Sequence, residues 1–124
     1  DPALLNAAYN DAAGYTAGFN LNLLHRMKRE LGAELDTDAF EHVAFYNEAE
    51  GRVEMHLRSL REQEIVIGDD RFTLDAGELI HSENSHKYTI DEFTALARDA
   101  GFESGAVWTD PDRLFSIHYL TVPD

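Results

Sequence analysis

Glu83 and Ser85 stand two residues apart in the stretch Leu79-Ile80-His81-Ser82-Glu83-Asn84-Ser85-His86-Lys87-Tyr88. This stretch reads as the end of a β-strand running into a helix N-terminus. Alternate strand side chains share a face, so His81, Glu83 and Ser85 are expected on one side, with Ser82 and Asn84 on the other. An ionised carboxylate only accepts hydrogen bonds, whereas a hydroxyl donates or accepts. Side by side they suit a small ligand with one N–H and one acceptor nitrogen, and a neutral imidazole is such a ligand. The same spacing also fits an exposed acidic strand end.

Other chemistries find less support. His81, Glu83 and His86 carry zinc-ligand residue types, but His86 has the opposite strand parity and is expected beyond the strand. The spacing also differs from the helical pattern with two histidines four apart, so no metal site is expected. The serines lack a G-x-S-x-G elbow, and no catalytic side chain is assigned. No Gly-rich G-x-G-x-x-G or P-loop pattern is present to cradle a nucleotide. Tyr9, on the apolar side of the first helix, reads either as a core aromatic with a wet tip or as a phenol that reaches a ligand carboxylate. Met55, mid-strand, reads either as core filler or as an adaptable wall against a flat ring.

The elements that must position these residues follow from pattern. A first helix is expected over Asp1 to Ala13, with Pro2 in its first turn and Leu4, Leu5, Ala8 and Tyr9 on one face. A second, capped by Thr16, is expected to run to Leu31, with Phe19, Leu23, Met27 and Leu31 as its core stripe and Leu24 widening it. After one helical turn near Asp36 come strands at His42–Asn47, Val53–Arg58, Glu64–Ile67, Arg71–Leu74 and Glu78–Ser85. Short loops between consecutive strands predict an antiparallel meander. Thr89-Ile90-Asp91-Glu92 is a capping box, opening a helix to about Ala100. Strands at Phe102–Trp108 and Leu114–Val122 close the chain.

At 124 residues the chain has room for a modest core, and 44% apolar with 27% charged residues is ordinary for a globular protein. The formal charge of −14 is not ordinary, and it argues against nucleic acid and anionic membrane surfaces as partners. There is no cysteine, and no apolar run approaches the ~20 residues needed to span a bilayer, which fits a cytoplasmic protein. An Asp-Pro start suggests a piece of a longer chain.

Taken in order, Tyr9-Asn10-Asp11-Ala12-Ala13-Gly14-Tyr15-Thr16, Glu54-Met55, Ala76-Gly77-Glu78, Glu83-Asn84-Ser85-His86-Lys87-Tyr88, Ala100-Gly101-Phe102 and Trp108-Thr109-Asp110 form a pattern. Over essentially its whole length the chain resembles the histidine-specific, S-adenosylmethionine-dependent methyltransferases, a family best known from ergothioneine synthesis. The resemblance implies that Tyr9 binds the substrate carboxylate, that Glu83 and Ser85 hold the imidazole, and that Met55 packs beside it. It implies methyl transfer from S-adenosylmethionine to the α-amino nitrogen of histidine, up to trimethylation.

The resemblance also implies a missing half, since in the family the cofactor-binding region precedes this one. The expected fold is α+β. Residues 1–88 would form a substrate-recognition insert, an antiparallel meander packed with helices. Residues 89–124 would be the last helix and β-hairpin of a class I methyltransferase fold. S-adenosylmethionine is expected as cofactor of the full-length protein only. The chain alone is expected to be inactive, not to bind that cofactor, and to cover its open strand edges by oligomerising or swapping strands. The alternative is a non-catalytic acidic domain that binds a small amine or amino acid, or mediates association.

Overall fold

The structure, a computed structural model, describes residues 1–123. The fold is α+β and falls into two compact units, one over Asp1–His86 and one starting at Lys87.

In the first unit, α1 (Pro2–Tyr9) is capped by the Asp1 side chain, which accepts from the Ala3 N–H. It stops at Tyr9, short of the expected Ala13, and turns Leu5 and Tyr9 inward while Leu4 and Ala8 stay exposed. Two asparagines pin it to the sheet. Asn6 accepts from the Tyr46 N–H and Asn10 donates to the Ala44 carbonyl.

α2 spans Tyr15–Leu31. Its N-cap is Gly14 in the left-handed region (φ 75°), and Asp11, not Thr16, supplies the capping oxygens. The expected core stripe is also corrected. Phe19, Leu23 and Leu31 are exposed, and the buried face carries Asn20 and Leu24, with Leu21 and Met27 beside them. The helix is thus rotated so that an asparagine with its hydrogen bonds satisfied points inward and two large apolar residues line open space.

The strands are β1 (Phe40–Asn47), β2 (Arg52–Ser59), β3 (Gln63–Ile67), β4 (Asp70–Leu74) and β5 (Leu79–His86). They do not form the predicted meander. β2 pairs with β5 to give a three-stranded antiparallel sheet ordered β1-β2-β5, while β3 and β4 leave it as a separate hairpin. The base of that excursion is sewn shut by Ser59 N–H to Glu78 O (2.9 Å) and Gly77 N–H to Ser59 O (2.7 Å). The reason for the excursion lies in packing. Ile65 and Leu74 of the hairpin join Leu24, Phe40 and Leu57 in one buried cluster under α2. Complete burial of Leu24 and Leu57 stabilises the unit by roughly 1.5–3 kcal/mol each. A second cluster, Ala44, Val53 and Met55 with Leu5, Tyr9 and Tyr46, fastens α1 to the same sheet face.

The second unit consists of α3 (Ile90–Asp99) and an antiparallel pair, β6 (Glu103–Thr109) and β7 (Ser116–Thr121). The capping box forms as expected, with Thr89 and Glu92 each bonding the other's backbone N–H. Ala97 is buried and the Phe93 ring meets His118 at 4.5 Å.

Candidate functional site

Strand register decides which side chains meet. β2 and β5 pair regularly on both sides of one irregularity, with Met55 opposite Glu83 and His56 opposite His81. Ser82 is the extra residue, a β-bulge. Cross-strand partners share a face. Glu83 and Ser85 therefore lie with Met55 and Val53 on the face covered by helices, as expected of them. His81 does not join them. It lies with His56 on the other face, because the bulge reverses the alternation. His86 is also inside β5 rather than past it.

On the helical face a cavity of about 270 Å³ is lined by Tyr9, Tyr15, Thr16, Phe19, Met55 and Glu83. Ser85 is not among the lining residues, but its hydroxyl lies 2.7 Å from the phenol of Tyr9, which is. A neighbouring cavity of about 160 Å³ shares Phe19 and Glu83 and adds Asn20, Asn22, Leu23, Arg26 and Ser82. Among the described residues, no hydrogen bond or ion pair takes up the Glu83 carboxylate.

The turn from α1 to α2 builds the mouth of this hollow. The Asp11 carboxylate accepts from the N–H groups of Tyr15 and Thr16, both at 2.9 Å. These bonds from Thr16 and Tyr15 hold its carboxyl down at about 2. Asp11 and Gly14 thus aim Tyr15, Thr16 and Phe19 at the cavity. Sequence reasoning missed Phe19 as a lining residue because its spacing matched a core stripe.

The opposite face is closed. Glu54 accepts from Arg52 (2.9 Å) and Asn47 (3.0 Å), and burial, which raises its pKa, is outweighed by these bonds, which lower it. His56 stacks against Phe45 on one side (5.2 Å, 4°) and His81 on the other (4.5 Å, 30°). Burial, and then the neighbouring His81, push its pKa down. Donor atoms of Glu54, His56 and His81 lie within 4.8 Å of one another. The Glu54 Oε1 takes both bonds, from Arg52 and Asn47, while its Oε2 stands 3.6 Å from the His56 Nε2. The group is a stack of two imidazoles beside a carboxylate, a cluster that the sequence pattern of His81, Glu83 and His86 did not point to.

The second unit holds a larger cavity, about 410 Å³, between the start of α3 and Arg113–Ser116. Its size does not make it the site. The α3 terminus is closed by its own capping box, and Asp110 is spent on the N–H groups of Asp112 and Phe115. The Ser116 hydroxyl lies 3.0 Å from the His118 Nε2. The described residues do not fit S-adenosylmethionine. They offer neither a Gly-rich turn nor an open helix N-terminus to receive it.

The site is thus a carboxylate facing a hollow walled by a methionine and aromatic rings. The comparisons with known proteins define the class. The family model for histidine-specific, S-adenosylmethionine-dependent methyltransferases matches residues 1–122, and the chain belongs to that family. It is 42% identical over 119 residues to the histidine N-alpha-methyltransferase of Mycolicibacterium smegmatis and 43% identical over 119 residues to that of Mycobacterium tuberculosis. Each match takes in 94% of this chain and 37% of the relative, so the chain spans little more than a third of their length.

Proposed function

We propose that this chain is the substrate-recognition portion of an S-adenosylmethionine-dependent methyltransferase acting on the α-amino group of L-histidine. The observation that carries the reading is the Glu83 carboxylate, free of protein partners among the described residues, facing a cavity whose wall is Met55, Tyr9 and Phe19. In this reading Glu83 accepts from one imidazole N–H and the Ser85 hydroxyl donates to the other ring nitrogen. Met55 and Phe19 lie against the ring, and the Tyr9 phenol, 2.7 Å from the Ser85 hydroxyl without ligand, turns its proton to the substrate carboxylate, which leaves the Ser85 proton for the ring nitrogen. A site that hydrogen-bonds both ring nitrogens rejects side chains lacking them, since its polar groups would be left unpaired. Methyl transfer needs the amine and the donor held close and in line, so the contribution of these residues is orientation.

The methyl donor, in this reading, is bound by the rest of a longer protein, and the segment from residue 89 completes that protein's methyltransferase fold. The chain by itself neither binds S-adenosylmethionine nor transfers methyl groups. Its β6–β7 pair exposes Trp108, Ile117 and Tyr119, and the isolated chain self-associates through these apolar faces. Light scattering giving a monomer at high concentration would contradict that last point. A cytoplasmic location belongs to the same reading. Among the described residues no helix is long and apolar enough to cross a membrane.

The test is a titration of the full-length protein with L-histidine and with analogues in which either ring nitrogen is replaced by carbon. Tight binding of histidine and loss of both analogues is expected. Equal affinity for all three would remove the imidazole from the recognition scheme. The second reading, an acidic amine-binding module without catalysis, predicts binding of simple amines with no methyl transfer in the full-length protein.

A further inference from the structure

We propose that Asn20 is the positioning residue of the imidazole site, acting through Ser82 on one side and through His42 and Tyr9 on the other. The inference rests on the reading above and adds a residue to it. Asn20 is 3% exposed and sits on α2 one turn before the fully buried Leu24. An apolar side chain would fill that position at lower cost, because a buried amide is tolerated only when its donors and acceptor are satisfied.

Here all are. The Asn20 Nδ2 donates to the His42 Nδ1 (2.9 Å) and to the His56 carbonyl (2.9 Å). Its Oδ1 accepts from the Ser82 hydroxyl at 2.6 Å. Turning the amide over would set Oδ1 against the His56 carbonyl, so the network admits one orientation. Because His42 accepts at Nδ1, its proton is on Nε2, which donates to the Tyr9 carbonyl at 2.8 Å.

The bonds close into a circuit. From Ser82 it runs through Asn20 and His42 to the Tyr9 backbone, then from the Tyr9 phenol to Ser85, three residues along β5 from Ser82. Glu83 lies inside that circuit. Ser82 is the bulge residue, which the ladder does not pair, and its hydroxyl, 2.6 Å from the Asn20 Oδ1 and 2.9 Å from the Met55 carbonyl, ties the irregularity to α2 as well as to β2. The direction of the next side chain, Glu83, follows from it. Asn20 touches no ligand in this account; it fixes the groups that do.

The experiment is a double-mutant cycle on histidine binding by the full-length protein, followed by calorimetry, with thermal unfolding recorded for every variant. Ser82→Ala and Asn20→Ala are each combined with Glu83→Ala. Each single variant is expected to weaken histidine about tenfold; once Glu83 is gone Ser82→Ala is expected to add less than about twofold, and Asn20→Ala only the part that runs through His42 and Tyr9. A merely structural role would lower the unfolding temperature without producing that coupling. Should Asn20→Ala fail to fold, Ser82→Ala decides alone. Histidine affinity within twofold of wild type in folded Ser82→Ala would overturn the proposal, as would losses that add undiminished to that of Glu83→Ala. If Glu83→Ala itself binds histidine normally, the imidazole reading fails and the Asn20 assignment with it.

Discussion

Two carboxylates on adjoining strands of one sheet meet opposite fates. Glu83 lies on the helical face, beside Met55 and facing a hollow. Glu54, one residue before Met55 along β2, turns to the other face and is consumed by Arg52 and Asn47. The contrast extends to the aromatic groups. Tyr9 and Phe19 line open space, whereas Phe45, His56 and His81 stack on one another. A buried charge with its partners supplied is architecture, and one left facing a cavity is a place for a ligand. The bulge at Ser82 draws the line between them, because it sends His81 to the closed face and Glu83 to the open one.

The comparison breaks if the closed face turns out to bind and the open one to stabilise. The largest expected effect is on folding. Glu54→Ala should cost about 2–3 kcal/mol by denaturant unfolding, since it takes the buried acceptor from Arg52 and Asn47 and leaves Arg52 only Glu50, at 3.5 Å. Histidine affinity in the full-length protein should change by less than about twofold, since the Glu54 side chain lies on the face away from the cavity. Ser85→Ala should do the reverse. It removes one neutral hydrogen bond from the ligand, for about a fivefold weaker dissociation constant, with stability changed by about 1 kcal/mol or less.

A smaller effect concerns pH. His56 has a folded pKa lowered by burial, so the native state takes up its proton less readily than the unfolded chain. Its contribution is fully present above the unfolded value near 6.5 and is lost as pH falls through the folded one. Stability should decline on acidification below about pH 6.5, and His56→Phe should flatten that slope. A slope unchanged by the substitution would show that another group controls it. The smallest effect is expected at Asp11, whose carboxyl is held at about 2 by the N–H groups of Thr16 and Tyr15. That contribution is present above the unfolded carboxylate value near 4 and disappears as pH drops towards 2, so Asp11→Asn should erase it.

Much of the secondary structure was legible, because its signals are local. The Thr89 capping box and the helix end at Leu31 each need only neighbouring residues, whereas the polar Glu54 and His56, which alternate with apolar residues in β2, are buried along with those. What misled was long-range. Short loops between consecutive strands argue for a meander, yet β3 and β4 leave the sheet because Ile65 and Leu74 are needed under α2. A period of four along α2 fits Phe19, Leu23, Met27 and Leu31, but it fits Asn20 and Leu24 equally well, and only hydrogen-bond partners on three strands tell the two faces apart. In the candidate site, Glu83 and Ser85 fall on one face as strict alternation says. The same rule misplaces His81, since a bulge leaves no mark in residue type beyond a serine that could stand anywhere.

The central claim is that the Glu83 carboxylate is the acceptor for an imidazole N–H. Calorimetric titration of L-histidine into the full-length protein and its Glu83→Ala variant tests it most directly. The account predicts a dissociation constant raised tenfold to a hundredfold, the worth of one hydrogen bond to a charged group, with the unfolding temperature nearly unchanged. An equal dissociation constant in a folded variant would contradict it.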